Sequence, residues 1–246
     1  MKPYKLIPIK ECGEPLVPIP ADRFAFVHPH PYEAVGAPYD DKSPFYVRQG
    51  VLDRLFAAQA TLAHLQPGWK ILIFDAYRPL GVQEYMVDHT FGQVVAQRGL
   101  EVALLTEAQR QEILTLVYEF WAVPDRDPRR PPPHSTGGAV DVTLVDERGV
   151  EIDMGSPIDE LSPRSYPNYY GEQPDPVARS FQERRSLLHH VMSKAGFLRH
   201  PGEWWHFCYG DQMWAWLQQQ AQPDFPAIAQ YGRWENDEGI KLNTDL

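Results

Sequence analysis

Cysteine is scarce in this sequence: Cys12 and Cys208 are the only two. So few thiols, so far apart, exclude a disulfide scaffold and form no metal-type spacing. They read as two reduced, buried thiols. Long apolar runs are also missing. No stretch of about 18 apolar residues exists, which excludes a transmembrane helix. The opening Met1–Lys10 has no apolar core long enough for a secretory signal. The simplest expectation is a cytoplasmic protein that makes no use of a membrane. Positive charge is in deficit, with 23 Lys and Arg against 33 Asp and Glu and a net charge of −10. A surface of that sign does not suit nucleic acid or anionic lipid. Internal repeats and low-complexity stretches are absent as well.

What is present suits a folded body. The chain has 246 residues, 43% of them hydrophobic, enough for a substantial core. We read it as one domain over residues 1–246, with an irregular N-terminal segment of about 50 residues and a polar tail from Glu235. Leu52, Leu55, Phe56, Ala60 and Ala63 recur at helical spacing, with Leu62 widening the stripe, so Val51–Gln66 is an amphipathic helix. Pro67-Gly68 ends it. Lys70–Phe74 is a short apolar run, read as a buried strand that leads into Asp75-Ala-Tyr77-Arg78-Pro79. Two further helices are expected over Val82–Arg98 and Glu107–Trp121, the latter opened by a Thr106/Gln109 capping box. Residues 124–133 read as a stiff, solvated loop, and Ala139–Val145 as a strand followed by a turn at Asp146–Gly149. After a second loop over 156–176, a helix over Ala178–Ala195 stops at Gly196. The Glu203 segment follows as a strand or tight turn, and a short helix as Asp211–Gln220. Helices precede and follow a small group of strands, which places the chain in the α+β class.

Most of the nine histidines lie in loops or on helices and need no special role. His134 and His206 stand apart because of their neighbours. His134 follows three prolines, and Gly137-Gly138 permits a tight backbone path back towards Asp141. On a strand, Asp141 and Thr143 share one face while Val140, Val142 and Leu144 share the other. An acid in so apolar a strand is costly unless it is paired or metal-bound. Glu203 and His206 are three residues apart, so on a flat strand they would point to opposite faces. Pro201-Gly202 supplies the bend that would bring them together. His134, Asp141, Glu203 and His206 thus offer three metal ligands plus one extra carboxylate. Catalytic zinc needs that set, because it keeps three protein ligands and an open position for water. On spacing alone, a surface carboxylate and a core histidine among Trp204, Trp205 and Phe207 fit equally well. Arg78, beyond a buried strand, suits stabilisation of an oxyanion or a surface pair with Asp75.

Three blocks carry a resemblance: Asp75-Ala-Tyr-Arg78-Pro; His134-Ser-Thr-Gly-Gly-Ala-Val-Asp141-Val-Thr-Leu with Met154-Gly-Ser-Pro-Ile-Asp159; and Glu203-Trp-Trp-His206-Phe. In order and spacing the chain resembles the zinc-dependent D-alanyl-D-alanine dipeptidases, which include those of vancomycin resistance. They belong to a wider metallopeptidase group that shares its fold with the hedgehog signalling domain. The resemblance implies a small central antiparallel sheet flanked by helices and one zinc ion per chain. It further implies His134, Asp141 and His206 as ligands, Glu203 as general base and Arg78 as the transition-state stabiliser. Asp159 would hold the ammonium of a small D-amino-acid dipeptide, which accounts for selection against N-blocked peptides. An N-terminal tyrosine is expected to contact substrate, with Tyr32, Tyr39 and Tyr46 as candidates. The family pattern has Ser where this chain has Pro132, which bears on substrate specificity. The rival expectations are a D,D-carboxypeptidase or endopeptidase on longer cell-wall peptides, and a zinc-stabilised module without catalysis.

Overall fold

The structure is a computed structural model, and it describes residues 2–40 and 42–234. The tail from Glu235 lies outside the described residues. The strands are β1 (Leu16–Pro18), β2 (Ala25–Phe26), β3 (Tyr46–Arg48), β4 (Lys70–Asp75), β5 (Ala139–Val145), β6 (Leu198–Arg199) and β7 (His206–Cys208). The helices are α1 (Pro31–Ala34), α2 (Gln49–Leu65), α3 (Leu80–Gln97), α4 (Glu107–Phe120), α5 (Pro176–Lys194) and α6 (Gln212–Ala221). The result is the expected α+β architecture. The main sheet runs β2-β4-β5-β7-β6, and a second sheet pairs β1 with β3. The main sheet is antiparallel except at its edge, where β2 pairs in parallel with β4. That edge strand is two residues long, too short to leave an alternating signature in sequence.

Helices α2 and α5 cover one side of the sheet, burying Leu55, Leu62, Leu188 and Val191 against Ile71, Val140 and Val142. The buried stripe of α2 runs through Val51, Leu52, Leu55, Ala58, Gln59 and Leu62, and the expected Ala60 and Ala63 are exposed. Gln59 was not in that expectation. Its amide donates to the Trp69 carbonyl at 2.9 Å and accepts from the Ile71 amide at 2.8 Å, so helix and strand are stapled where the core begins. Helices α3 and α4 build a second apolar cluster, which includes Tyr32, Phe91, Ile113, Val117 and Trp121. The capping box at the start of α4 is present: Gln109 N–H donates to Thr106 Oγ1, and Thr106 N–H to Gln109 Oε1. A third cluster joins Tyr4 to Ala139, Cys208 and Met213. It docks the N-terminal turn Pro3–Leu6 beside α6. Cys208 is buried as expected, but Cys12 is exposed. Residues 131–133 are buried rather than solvated, because they lead directly into the centre of the sheet.

Candidate metal centre and catalytic cavity

The central strand pairings bring the sequence blocks together. Asp141 on β5 faces Asp75 on β4 and His206 on β7. A register shift between Ile73 and Asp75 re-aims the end of β4 at this point, as bulges next to sites commonly do. His134 arrives on a tight helical turn, Pro133–Thr136, which ends at Gly137 with φ 70°. Gly138 then passes so close to β7 that a Cβ there would lie 2.8 Å from the Tyr209 carbonyl oxygen. Glu203 sits in the turn between β6 and β7, where the His200 N–H donates to the His206 carbonyl at 2.9 Å. This reversal brings Glu203 Oε2 to 3.7 Å from His206 Nδ1, as the Pro201-Gly202 bend leads one to expect.

Three donor atoms converge. His134 Nε2 lies 3.3 Å from Asp141 Oδ2, His206 Nδ1 lies 3.0 Å from Asp141 Oδ1, and the two imidazole nitrogens are 3.2 Å apart. All three residues are buried, and their donor atoms lie close enough together to hold one metal ion. His134 Nδ1 is 2.7 Å from the Ala76 carbonyl oxygen. That hydrogen bond puts the ring proton on Nδ1 and leaves the Nε2 lone pair facing the centre. Charge balance points the same way. The buried Asp75, Asp141 and Glu203, with the half-buried Asp159, stand in or beside a cavity whose Lys and Arg side chains are Arg78 and Lys2. Carboxylates withdrawn from water need compensating charge, and a divalent cation on this imidazole and carboxylate set would supply it.

Arg78 is buried, so it is not a surface partner of Asp75. Its Nε and Nη2 donate to Asp75 Oδ2 at 3.0 and 2.7 Å, and its Nη1 to Gln83 Oε1 at 2.9 Å. Nη2 also donates to the Tyr32 hydroxyl at 3.1 Å and lies 3.6 Å from Asp141 Oδ2. Tyr32 and Trp121 flank the guanidinium, each with its ring centroid 4.9 Å away. Of the three N-terminal tyrosines, Tyr32 stands against Arg78 and Asp159, two residues that line the cavity. Its hydroxyl donates to Asp159 Oδ2 at 2.6 Å. Tyr39 instead donates to Asp75 Oδ1, and Tyr46 belongs to β3.

The electrostatics separate the acids. Arg78 and His30 overcome burial and hold Asp75 low. Burial raises Asp141, but the adjacent His134 and His206 hold it well below the usual carboxylate range. Burial lifts Glu203 to about 7 despite His206. Asp159 rises to about 6, through burial and then the Asp141 charge. Such divergent acids in one cleft are a mark of acid–base chemistry.

Three further residues stand at the site without a role expected from sequence. His200 lies 3.6 Å from Glu203, and burial followed by the neighbouring His206 drives its pKa well down. His30 is buried, with Nε2 3.3 Å from Asp75 Oδ1. Lys2 lines the cavity beside Glu203. His30 and Lys2 are placed by long-range packing, which local spacing does not signal, whereas His200 stands three residues before Glu203 in the same turn, a spacing that marks it.

A family model described as D-ala-D-ala dipeptidase matches residues 26–228. The chain belongs to that family. It is therefore a peptidase, with the fold its three sequence blocks led one to expect. It is 53% identical over 241 residues to the D-alanyl-D-alanine dipeptidase of Synechocystis sp., a match covering 96% of this chain and 98% of that one. A shorter match, 45% over 74 residues, covers 30% of this chain and 36% of the D-alanyl-D-alanine dipeptidase of Escherichia coli K12. Among solved structures, a vancomycin resistance D,D-pentapeptidase, VanY, in complex with Zn(II) is 15% identical with a TM-score of 0.43, covering 89% of this chain and 94% of that one. The LD-carboxypeptidase LdcB is 16% identical with a TM-score of 0.46, covering 90% and 84%.

Proposed function

We propose that this chain hydrolyses D-Ala-D-Ala to two molecules of D-Ala, with one zinc ion held by His134, Asp141 and His206. The observation that carries the reading is the convergence of those three donors beside a fourth, uncommitted carboxylate, Glu203. When bound, the metal would acidify water and polarise the scissile carbonyl.

The protein's own groups divide the remaining work. Asp159, steadied by the Tyr32 hydroxyl, pairs with the substrate ammonium. Tyr32 is the N-terminal tyrosine we assign to substrate contact, since it bridges Asp159 and Arg78. Arg78 is held rigidly by Asp75 and Gln83, so its charge is oriented before the carbonyl oxygen becomes negative. Glu203, lifted to about 7, is matched to taking a proton near neutrality. It removes the proton from the attacking water and delivers it to the departing amine, so the C–N bond breaks as N–H forms.

The test is D-Ala release from free D-Ala-D-Ala and from its N-acetylated form. The reading predicts cleavage of the free dipeptide alone. Cleavage of the blocked form at a comparable rate would move the chain to the carboxypeptidase class.

A further inference from the structure

Under the dipeptidase reading, the groups assigned so far meet the ammonium and the carbonyl of the substrate. Its carboxylate still needs a partner, because a charge taken into a cavity is costly unless paired. The chemistry fixes where that carboxylate lies. Glu203 protonates the departing amine, and in a dipeptide this nitrogen is separated from the carboxylate by a single Cα. The partner must therefore stand on the Glu203 side of the cavity, away from Tyr32 and Asp159.

Among the described residues that line the cavity, the Lys and Arg side chains are those of Arg78 and Lys2. Arg78 is committed to Asp75, Gln83 and Tyr32. His200 is also on the Glu203 side, but its Nδ1 accepts the Gly202 N–H at 3.1 Å and lies 3.6 Å from Glu203 Oε1. Lys2 remains. It lines the same cavity wall as Glu203, and burial lowers the pKa of its ammonium while the Glu203 charge opposes that. No hydrogen bond or ion pair holds that ammonium among the described residues. The backbone beneath it is anchored. Lys5 N–H donates to the Lys2 carbonyl at 3.1 Å, Tyr4 is buried against Met213, and Gln212 Nε2 donates to the Ile7 carbonyl at 2.6 Å. Lys2 also stands at a threshold. Together with Tyr4, His200, Glu203 and Met213 it lines both the metal cavity and an outer cavity of about 380 Å³. The segment lies outside the stretch matched by the family model, which begins at residue 26.

We infer that Lys2 binds the C-terminal carboxylate of the dipeptide and so sets selectivity for a free C-terminus. This rests on the dipeptidase reading. Asp159 and Lys2 would then measure the zwitterion from its two ends.

The experiment compares D-Ala-D-Ala with its C-terminal carboxamide in wild type, Lys2→Met and Lys2→Arg. A charge-assisted contact of this kind corresponds to roughly 10- to 100-fold in binding. Wild type should prefer the acid by about 10-fold or more in kcat/KM. Lys2→Met should raise KM for the acid with little change in kcat and bring the acid-to-amide ratio towards one. Lys2→Arg should restore the preference. The ratio is read within each variant, so partial misfolding lowers both rates together and leaves it unchanged. An unaltered KM and ratio in Lys2→Met would overturn the assignment. If wild type cleaves neither compound, the dipeptidase reading falls and the assignment falls with it.

Discussion

Individual acids in the cavity are tuned by their surroundings, and this can be measured. Burial, reinforced by Asp141, lifts Asp159 to about 6. Its folded value exceeds its unfolded one, so charging it costs stability as pH rises between the two. A substrate ammonium held there, as proposed, would reverse that preference, since it would pair only with the ionised form. Glu203→Ala provides an inert protein in which to see this. It should keep its zinc while kcat falls by about 10²–10⁴-fold. Calorimetry on that variant should show D-Ala-D-Ala binding tighten as pH rises through the ionisation of Asp159 and then level. Adding Asp159→Asn should weaken binding and flatten the profile. An unchanged profile would remove Asp159 from substrate binding.

Short elements with unusual backbone demands do the positioning. Strand β5 was legible to its end residues, because Ala139–Val145 alternates around an out-of-place acid and ends at a turn. The tight turn at Glu203 was legible too, since three-residue spacing forces a bend if both side chains serve one site. The parallel pairing of β2 was not legible, because two residues carry no period. Nor was the true face of α2, because alanine is too small to mark which side is buried. His30 and Lys2 escaped notice for a related reason, because contacts between distant segments place them, while His200, three residues before Glu203 in the same turn, was within reach of the spacing argument that joined Glu203 to His206. The Gly137-Gly138 step is a demanding local feature at the site. A Cβ at Gly138 would press on the backbone oxygen of Tyr209, which cannot rotate away. Gly138→Ala should therefore cost about 1–3 kcal/mol in urea unfolding and weaken metal retention, by pushing β7 and His206 away from Asp141. Full stability with normal zinc affinity would show that the close approach is dispensable.

At the scale of the molecule, the cavity lies where three apolar clusters meet. Trp205 belongs to the cluster under the sheet, Trp121 to the one between α3 and α4, and Tyr4 and Met213 to the one beneath the N-terminal turn. We propose that these form one domain, so that folding and assembly of the site are a single event. Among the described residues, no helix is long and apolar enough to cross a membrane. A metal at this junction would bridge β5, β7 and the turn carrying His134, and would offset the surplus of carboxylates around Arg78. The most direct test of the central claim is a zinc titration of the chelator-stripped protein, followed by D-Ala release from D-Ala-D-Ala. Turnover should be negligible in the stripped protein, and activity should rise linearly to a break at one zinc per chain. Undiminished turnover after complete removal of metal would contradict it.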